Sequence, residues 1–309
     1  SSTVVPEMEK DGFSRKFASA LTATSSVIGP IHPPSIVFII YAVVASSSVG
    51  ALFLAGIIPA FLIAFAHMVV IYFYARKKNL DTRPFPSFKK LGKSFLESVP
   101  ALLIPVVILG GIYSGIFTAT ESGAIACLVA IIVGMFYYKS LKLSHFPKIF
   151  FNAGLITSSV MIIIATANIL GWSLTIEQLP QKMAEALLTI SDNPYVILLI
   201  INIILLIVGM FMEVTAALLI LVPIFLPVAT AIGIDPIHFG VVICLNLCIG
   251  FVTPPVGVVL YVTSNITKVG VPAIVRSTLP VLAALIVVLM IVTFIPAIST
   301  WLPGLAGLG

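Results

Sequence analysis

The chain has 309 residues, of which 60% are hydrophobic and only 9% are charged. Soluble globular domains carry about 25% charged residues, so this composition excludes a water-soluble enzyme, a nucleic-acid-binding protein and a disordered linker. It predicts an all-α polytopic membrane protein whose solvent is the lipid bilayer. The 21 prolines and 21 glycines predict that some membrane helices are broken. The net charge of +5 has to be interpreted by position, because Lys and Arg collect on the cytoplasmic side of membrane proteins.

Apolar stretches long enough to cross about 30 Å of hydrocarbon predict membrane spans near residues 17–46, 50–75, 98–117, 121–138, 149–172 and 271–298. The pattern of two further stretches does not predict a single uninterrupted membrane helix. Residues 193–232 are almost wholly apolar and contain no basic residue, which favours a re-entrant hairpin over two full crossings. Residues 236–268 contain two successive prolines between glycines, which predicts an interrupted helix.

The basic residues define four groups, at residues 10–16, 76–93, 139–148 and 268–276. All four lie in the cytoplasm if 193–232 is a hairpin, which leaves Lys182 as the single basic residue outside, against 15 of the 16 inside. Residues 81–97 are polar and basic, and they predict a helix along the cytoplasmic face, with a solvated loop as the alternative.

An internal repeat appears at a gapless offset of 221 residues. The offset superposes helix-breaking residues and some polar ones: Gly29 on Gly250, Pro33 on Pro254, Pro34 on Pro255, Pro59 on Pro280, Ser25 on Asn246 and His32 on Thr253. The charged loops do not follow the repeat, which is typical of inverted-topology repeats with paired broken helices.

The repeat divides the chain. Residues 1–75 are predicted to be the later part of the first repeat, 76–97 a cytoplasmic connecting arm, and 98–309 the second repeat with hairpin 193–232 and broken helix 236–268. The same spacing predicts about 120 further residues upstream of the first repeat's visible part.

Each proline pair leaves carbonyl oxygens without helical partners, and a small hard cation such as sodium suits an oxygen-only site. The alternative is that the prolines only kink the helices. Candidate sodium ligands in the first half are the main chain at Gly29, Ile31, His32 and Pro33, with Ser25 nearby. In the second half they are the main chain at Gly250, Val252 and Val256, with the Thr253 hydroxyl.

Glu213 is the most informative single residue, because it is the only acid between Asp192 and Asp235 and the hairpin places it near the membrane centre. It could bind a cation, relay a proton or cap the second helix of the hairpin. The predicted substrate and hairpin-tip region comprises Met212, Glu213, Thr215, Ser35 and Gly257. No phosphate loop, GxSxG or HExxH motif is present, so we expect neither an enzyme nor ATP hydrolysis by this chain.

Several long motifs resemble the large membrane subunit of tripartite ATP-independent periplasmic (TRAP) transporters. They are GPIHPPSI at residues 29–36, GIYSGIFTATESGA at 111–124, GMFMEVTAALLILVPIFLPVA at 209–229, GIDPIHFGVV at 233–242 and LNLCIGFVTPPVGV at 245–258. The resemblance runs along the whole chain, and the family's N-terminal first quarter has no counterpart in it.

This resemblance implies sodium-driven import of a small organic acid, of the C4-dicarboxylate or sialic acid type, across the bacterial inner membrane by an elevator motion. It implies a small four-helix membrane subunit and a soluble periplasmic substrate-binding protein as partners, sodium as coupling ion, and no organic cofactor, transition metal or nucleic acid. The implied sodium-binding positions are Gly29, His32, Pro34, Gly209, Gly250, Thr253 and Val256. Family members often carry an aliphatic residue at the position of His32, so its carbonyl is implied and its side chain is not.

Two other classes of protein share part of this pattern. A stand-alone ion-coupled carrier of the citrate or dicarboxylate type also has hairpins and paired broken helices, and a neighbouring gene for a periplasmic binding protein would distinguish the two. A passive channel predicts a continuous polar stripe along a pore, and the sequence shows no such stripe.

Overall fold

The computed structural model describes residues 1–80, 86–191 and 193–308, and in this part of the chain every regular element is helical. Seven of the described helices are long and apolar enough to cross a membrane, and a bent pair of helices would make an eighth span. The predicted all-α polytopic membrane fold is confirmed.

The helices are α1 (Val4–Lys10), α2 (Arg15–Ser25), α3 (Ile28–Ile31), α4 (Ile36–Ala45), α5 (Val49–Lys78), α6 (Phe88–Tyr113), α7 (Ala119–Ile132), α8 (Phe146–Ile176), α9 (Leu179–Ile190), α10 (Pro194–Phe211), α11 (Val214–Ala231), α12 (Pro236–Gly250), α13 (Val258–Thr267), α14 (Val271–Phe294) and α15 (Ala297–Leu305). A π-helical turn at Val133–Tyr137 extends α7, and a 3-10 turn at Leu143–His145 precedes α8.

Polar side chains fix where many of these helices begin. Ser14, Ser35, Ser48 and Ser87 each accept a hydrogen bond from the N–H three residues later. At α7, Thr118 and Glu121 form the reciprocal capping box that their spacing indicates. These caps satisfy N–H groups that a helix leaves without internal partners.

The chain separates into two compact units. Unit 1 comprises Ser1–Asp81 and Ala167–Gly309, and unit 2 comprises Thr82–Thr166. In unit 1 the central element is α12, whose residues from His238 to Gly250 are all buried. It packs against α3, α4, α5, α10, α11, α14 and α15. A helix that is apolar all round needs such a central position.

Unit 2 contains α6, α7 and most of α8. Its apolar helices bury little surface against one another, since only 6% of the apolar window of α6 and 11% of that of the α7 span are buried. Such uncovered apolar faces suit lipid or another membrane segment as neighbour.

The predicted broken helices are observed. Residues 17–46 form the α2–α3 and α4 segments, which meet at an angle of 46°. Residues 236–268 form α12 and α13, with the interruption at residues 251–257. The apolar stretch 193–232 forms α10 and α11, joined by Met212 and Glu213. Each of these two helices has 18 residues and the length of a span, so the re-entrant path of the hairpin stays a prediction.

Other helix bounds correct the sequence analysis. We expected a separate surface helix at 81–97 and a span from residue 98, but α6 is continuous from Phe88 to Tyr113. Its interior prolines Pro100 and Pro105 do not end it. Residues 81–85, including Arg83 of the second basic group, lie outside the described residues. The amphipathic helix α9 and the terminal helix α15 were not anticipated.

The internal repeat is visible in the helices of unit 1. An offset of 221 residues relates the helix starts to within one residue: α2 at Arg15 to α12 at Pro236, α4 at Ile36 to α13 at Val258, and α5 at Val49 to α14 at Val271. The packing is reciprocal, because α2 contacts α13 and α14 while α12 contacts α4 and α5. The division into residues 1–75, 76–97 and 98–309 follows the repeat rather than the packing, and it stays a prediction.

Candidate functional site

The first break lies between α3 and α4. His32 ends α3 in an extended conformation, and Ser35 begins α4. The Ser35 hydroxyl spans the break, because it donates to the Pro30 carbonyl and accepts from the N–H of Phe38 at 3.1 Å. Ser35 is 2% exposed, so the break is closed on this side by a buried hydroxyl. Its proline pair, like the second, is joined by a cis peptide bond.

The second break begins where α12 ends at Gly250. The N–H of Thr253 donates to the Gly250 carbonyl at 2.8 Å. The buried Thr253 hydroxyl donates to the Ile249 carbonyl at 2.6 Å, so its proton is used and its oxygen lone pairs can still accept or coordinate. Val256 is half-buried.

Gly257 completes the second break and begins α13. Its φ of 51° lies in the left-handed region, and a Cβ there would meet the Thr253 carbonyl oxygen at 3.0 Å. α13 therefore begins without a side-chain cap. The N–H of Gly257 donates to the Met210 carbonyl at 3.3 Å, which joins the second break to the hairpin.

The hairpin and the second broken helix also meet through two glycines. A Cβ added to Gly250 would lie 2.7 Å from the Cα of Gly209, and one added to Gly209 would lie 3.2 Å from the Cα of Gly250. A Cβ at Gly250 would therefore clash with the backbone of α10, and one at Gly209 would fit only if the neighbouring backbone moved by a few tenths of an ångström. The two backbones therefore approach closely where α10 crosses α12, and backbone oxygen atoms line this region rather than side chains.

The hairpin tip consists of Met212 and Glu213. Glu213 is exposed, and its carboxylate accepts a hydrogen bond from the N–H of Ala216 at 3.0 Å. It is the N-cap of α11, which was one of the three roles considered for it. A carboxylate in this position is stabilised by the positive end of the helix dipole. Met212 and Thr215 beside it are half-buried.

The structure brings together part of the predicted site. Gly209, Gly250, Thr253 and Gly257 are joined by the contacts above. In the first half, Ser25 is half-buried and its hydroxyl donates to the Thr22 carbonyl. Gly29 and His32 are exposed, Pro33 is buried and Pro34 is half-buried. The two halves meet where the Tyr41 hydroxyl of α4 donates to the Pro236 carbonyl of α12 at 2.6 Å.

A buried polar cluster near the second break was not predicted as part of the site. The side-chain amide of Asn246 donates to the side-chain oxygen of Asn202 at 2.6 Å and to its carbonyl at 2.9 Å. Asn202 in turn donates to the Thr293 hydroxyl at 3.3 Å. The signal was available, because Asn202 is an amide in the otherwise apolar run of α10. The cluster fixes α10, α12 and α14 to one another on the helix that ends at the second break.

The structure has two broken helices related by a repeat, and a hairpin packs on one of them through paired glycines. This architecture is typical of secondary transporters. Comparison with known families decides which kind. Residues 1–298 match the family described as "Tripartite ATP-independent periplasmic transporter, DctM component". The chain belongs to this family. It is therefore a multi-pass inner-membrane permease subunit of a TRAP transporter and not an enzyme.

Relatives with assigned names agree with this membership. The chain is 42% identical over 307 residues to the C4-dicarboxylate TRAP transporter large permease protein DctM of Pseudomonas aeruginosa, covering 99% of this chain and 72% of that protein. It is 46% identical over 289 residues to the sialic acid TRAP transporter large permease protein SiaM of Vibrio cholerae, covering 94% and 68%.

A third relative is longer. The chain is 38% identical over 304 residues to the isethionate TRAP transporter permease protein DctMQ of Oleidesulfovibrio alaskensis, covering 98% of this chain and 48% of that protein.

Proposed function

We propose that this TRAP permease subunit carries out sodium-coupled import of a small organic acid, of the C4-dicarboxylate or sialic acid type. The observation that carries the proposal is the backbone-lined region at the second break, where Gly209 and Gly250 touch and Gly257 donates to Met210. A helix that is interrupted within a membrane exposes backbone carbonyl groups, and their free lone pairs can bind an ion, a substrate or water.

Sodium is favoured as the coupling ion by the chemistry of the donors. The described residues around the second break offer carbonyl oxygens and the Thr253 hydroxyl, and hard cations prefer oxygen ligands. The nearest carboxylate at the hairpin tip, Glu213, already accepts from a backbone N–H as a helix cap. We propose sodium ligation by the main chain at Gly209, Gly250 and Val256 with the Thr253 hydroxyl. In the first half we propose Gly29, His32, Pro33 and Pro34, with Ser25 nearby.

An organic acid is favoured as substrate by the helix ends at the site. Three helices, α4, α11 and α13, begin at the breaks or at the hairpin tip, and helix N-termini attract anionic groups. The α4 and α11 starts are capped by Ser35 and Glu213, whereas α13 starts without a side-chain cap. The relatives above are named for C4-dicarboxylate, sialic acid and isethionate, which are all organic anions. We place the substrate at the hairpin tip, near Met212, Thr215, Ser35 and Gly257.

The motion that we propose is of the elevator type. Both broken helices and the hairpin lie within unit 1, so the site can travel as one body. The partners that we propose are a periplasmic binding protein, which delivers the substrate, and a small membrane subunit. The chain covers 48% of the DctMQ relative, so that single polypeptide is long enough to include such a subunit as well.

Uptake by proteoliposomes tests the proposal. The full-length protein, its small membrane subunit and the binding protein would be supplied with a panel of labelled organic acids under inward sodium, proton or potassium gradients. We expect uptake of at least one acid that requires both the sodium gradient and the binding protein. Uptake that does not depend on the sodium gradient would contradict sodium coupling. Uptake that does not require the binding protein would favour the stand-alone citrate-type or dicarboxylate-type carrier.

A further inference from the structure

A groove of about 470 Å³ opens on unit 1 between α2, α5 and α14. Its mouth lies where basic residues cluster, with Lys16 in the first turn of α2 and Lys77 in the last turn of α5. Small-molecule sites typically measure about 300–1,000 Å³. None of the residues proposed above for sodium or substrate lines this groove, so it calls for a separate explanation.

The floor of the groove is apolar and aromatic. The rings of Phe17 and Tyr74 are stacked, with centroids 3.6 Å apart and planes at 6°. The hydroxyl groups of Ser14 and Tyr74 are 2.9 Å apart and hydrogen-bonded, which holds the Tyr74 ring in place. Val70 lies two turns before Lys77, about 10 Å along α5. The groove therefore runs from a charged mouth into the apolar part of a membrane-spanning helix.

The positive charge at the mouth has no ion-pair partner among the described residues. Lys16 and Lys77 are both exposed, and neither forms an ion pair with any residue that the structure describes. The acidic side chains of the preceding helix are engaged elsewhere, Glu7 with Lys10 at 2.6 Å and Glu9 with Arg15 at 3.9 Å. No carboxylate is among the described residues that line the groove.

We propose that this groove binds an anionic phospholipid of the cytoplasmic leaflet. The phosphate would lie between Lys16 and Lys77, and one acyl chain would follow Val70 and Phe73. The phosphate would match two lysines that have no ion-pair partner in the described part of the chain, and the acyl chain would match the apolar floor. Basic pockets between membrane helices on the cytoplasmic side are a known location for anionic head groups. A free phosphate ion would bind the lysines but would leave the apolar floor without a matching ligand.

Direct lipid binding tests this proposal independently of transport. The full-length protein with its small membrane subunit would be titrated with phosphatidylglycerol or phosphatidylcholine of the same acyl chains, and bound lipid would be counted by native mass spectrometry. We expect tighter retention of phosphatidylglycerol. The double variant Lys16→Gln, Lys77→Gln should retain it about 30-fold less well, since each lysine near the surface contributes about fivefold. Phosphatidylcholine retention should stay unchanged.

A matched control removes two lysines that do not line the groove. The double variant Lys78→Gln, Lys93→Gln has the same total charge, and we expect a much smaller loss of phosphatidylglycerol retention because neither lysine lines the groove. Equal losses in the two double variants, or equal retention of the two lipids by the unmodified protein, would overturn the proposal. So would a photoreactive phenylalanine analogue at position 73 that cross-links to the small membrane subunit and not to lipid.

Discussion

The two broken helices share a glycine and a proline pair at equivalent positions, but their surroundings differ. At the second break, Gly250 packs against the backbone of Gly209 from the hairpin. At the equivalent position of the first half, a Cβ on Gly29 would meet nothing within 4 Å. Thr253 is 6% exposed, whereas His32, its counterpart in the repeat, is exposed. The proline pair thus determines that a helix breaks, and the helices packed around it determine what the break can hold.

The helix that follows each break shows the same contrast. α4 begins with a side-chain cap from Ser35, which also donates across the break to Pro30. α13 begins at Gly257, which has no side chain and is in the left-handed conformation. The first break is therefore closed by a hydroxyl of its own chain segment. The second presents main-chain oxygens and the Thr253 hydroxyl beside the hairpin, which suit sodium, and the uncapped N–H groups of α13, which suit an anionic substrate.

The largest expected effect concerns the opposite orientation of the two halves. With the native cysteines replaced, Lys182→Cys should react with a membrane-impermeant maleimide in intact cells, and Lys90→Cys should react only after the cells are permeabilised. The expectation follows from the division of basic residues across the membrane. The opposite labelling pattern would remove the inverted topology on which the comparison of the two breaks depends.

The next effect separates the two equivalent glycines. Gly250→Ala places a Cβ 2.7 Å from the Cα of Gly209, so the helices must move apart, and overpacking of this kind costs about 1–3 kcal/mol. Gly29→Ala meets no neighbour and exchanges glycine for the best helix former, so we expect no loss of stability. Thermal unfolding midpoints in detergent would measure both. Equal midpoints for the two variants would show that the hairpin does not pack on the second break as described.

A third prediction concerns the coupling ion at the second break. Thr253→Val keeps the shape of the side chain and removes its oxygen, so the sodium concentration for half-maximal uptake should rise about tenfold to hundredfold, as expected for the loss of about 1–3 kcal/mol. Expression and membrane insertion should hardly change. Thr253→Ser is the matched control, because it keeps the hydroxyl and should keep most of the sodium dependence. An unchanged sodium dependence in Thr253→Val would show that the hydroxyl does not bind sodium and serves only in its hydrogen bond to the Ile249 carbonyl.

The smallest effect tests the role of Glu213. Glu213→Ala removes the cap on the Ala216 N–H and should lower the stability by about 0.5–2 kcal/mol. Glu213→Asp keeps a good N-cap and should retain both the stability and the sodium dependence of transport. A loss of sodium affinity in Glu213→Asp with normal stability would instead make the carboxylate a ligand.

The sequence predicts the breaks because their causes are local. Pro33, Pro34, Pro254 and Pro255 remove backbone donors wherever they stand, and the repeat of these residues indicates two related halves. The cap at Glu213 and the capping box at Thr118 are also local, since each involves residues three apart. The features of the fold that the sequence predicts are therefore those whose causes lie within a few residues of one another.

Contacts between distant segments could not be predicted in this way. Gly209 and Gly250 are 41 positions apart, and nothing in either stretch indicates that they touch. The cluster of Asn202, Asn246 and Thr293 joins three helices, so its members appear in the sequence only as isolated polar residues in apolar runs. The start of α6 at Phe88 was missed because polar residues at the end of a span resemble a separate surface helix.

Direct sodium binding is the most decisive measurement for the second break. Radiolabelled sodium would be added to the purified full-length protein, and bound ion would be measured by scintillation proximity in the presence of unlabelled sodium or potassium. We expect saturable binding of labelled sodium that is displaced by unlabelled sodium but not by potassium. Thr253→Val should weaken this binding about tenfold to hundredfold. Gly29→Ala, which keeps every carbonyl, should bind as the unmodified protein does. Equal displacement by potassium, or equal binding in Thr253→Val, would contradict a sodium site built on the hydroxyl and carbonyls of the second break.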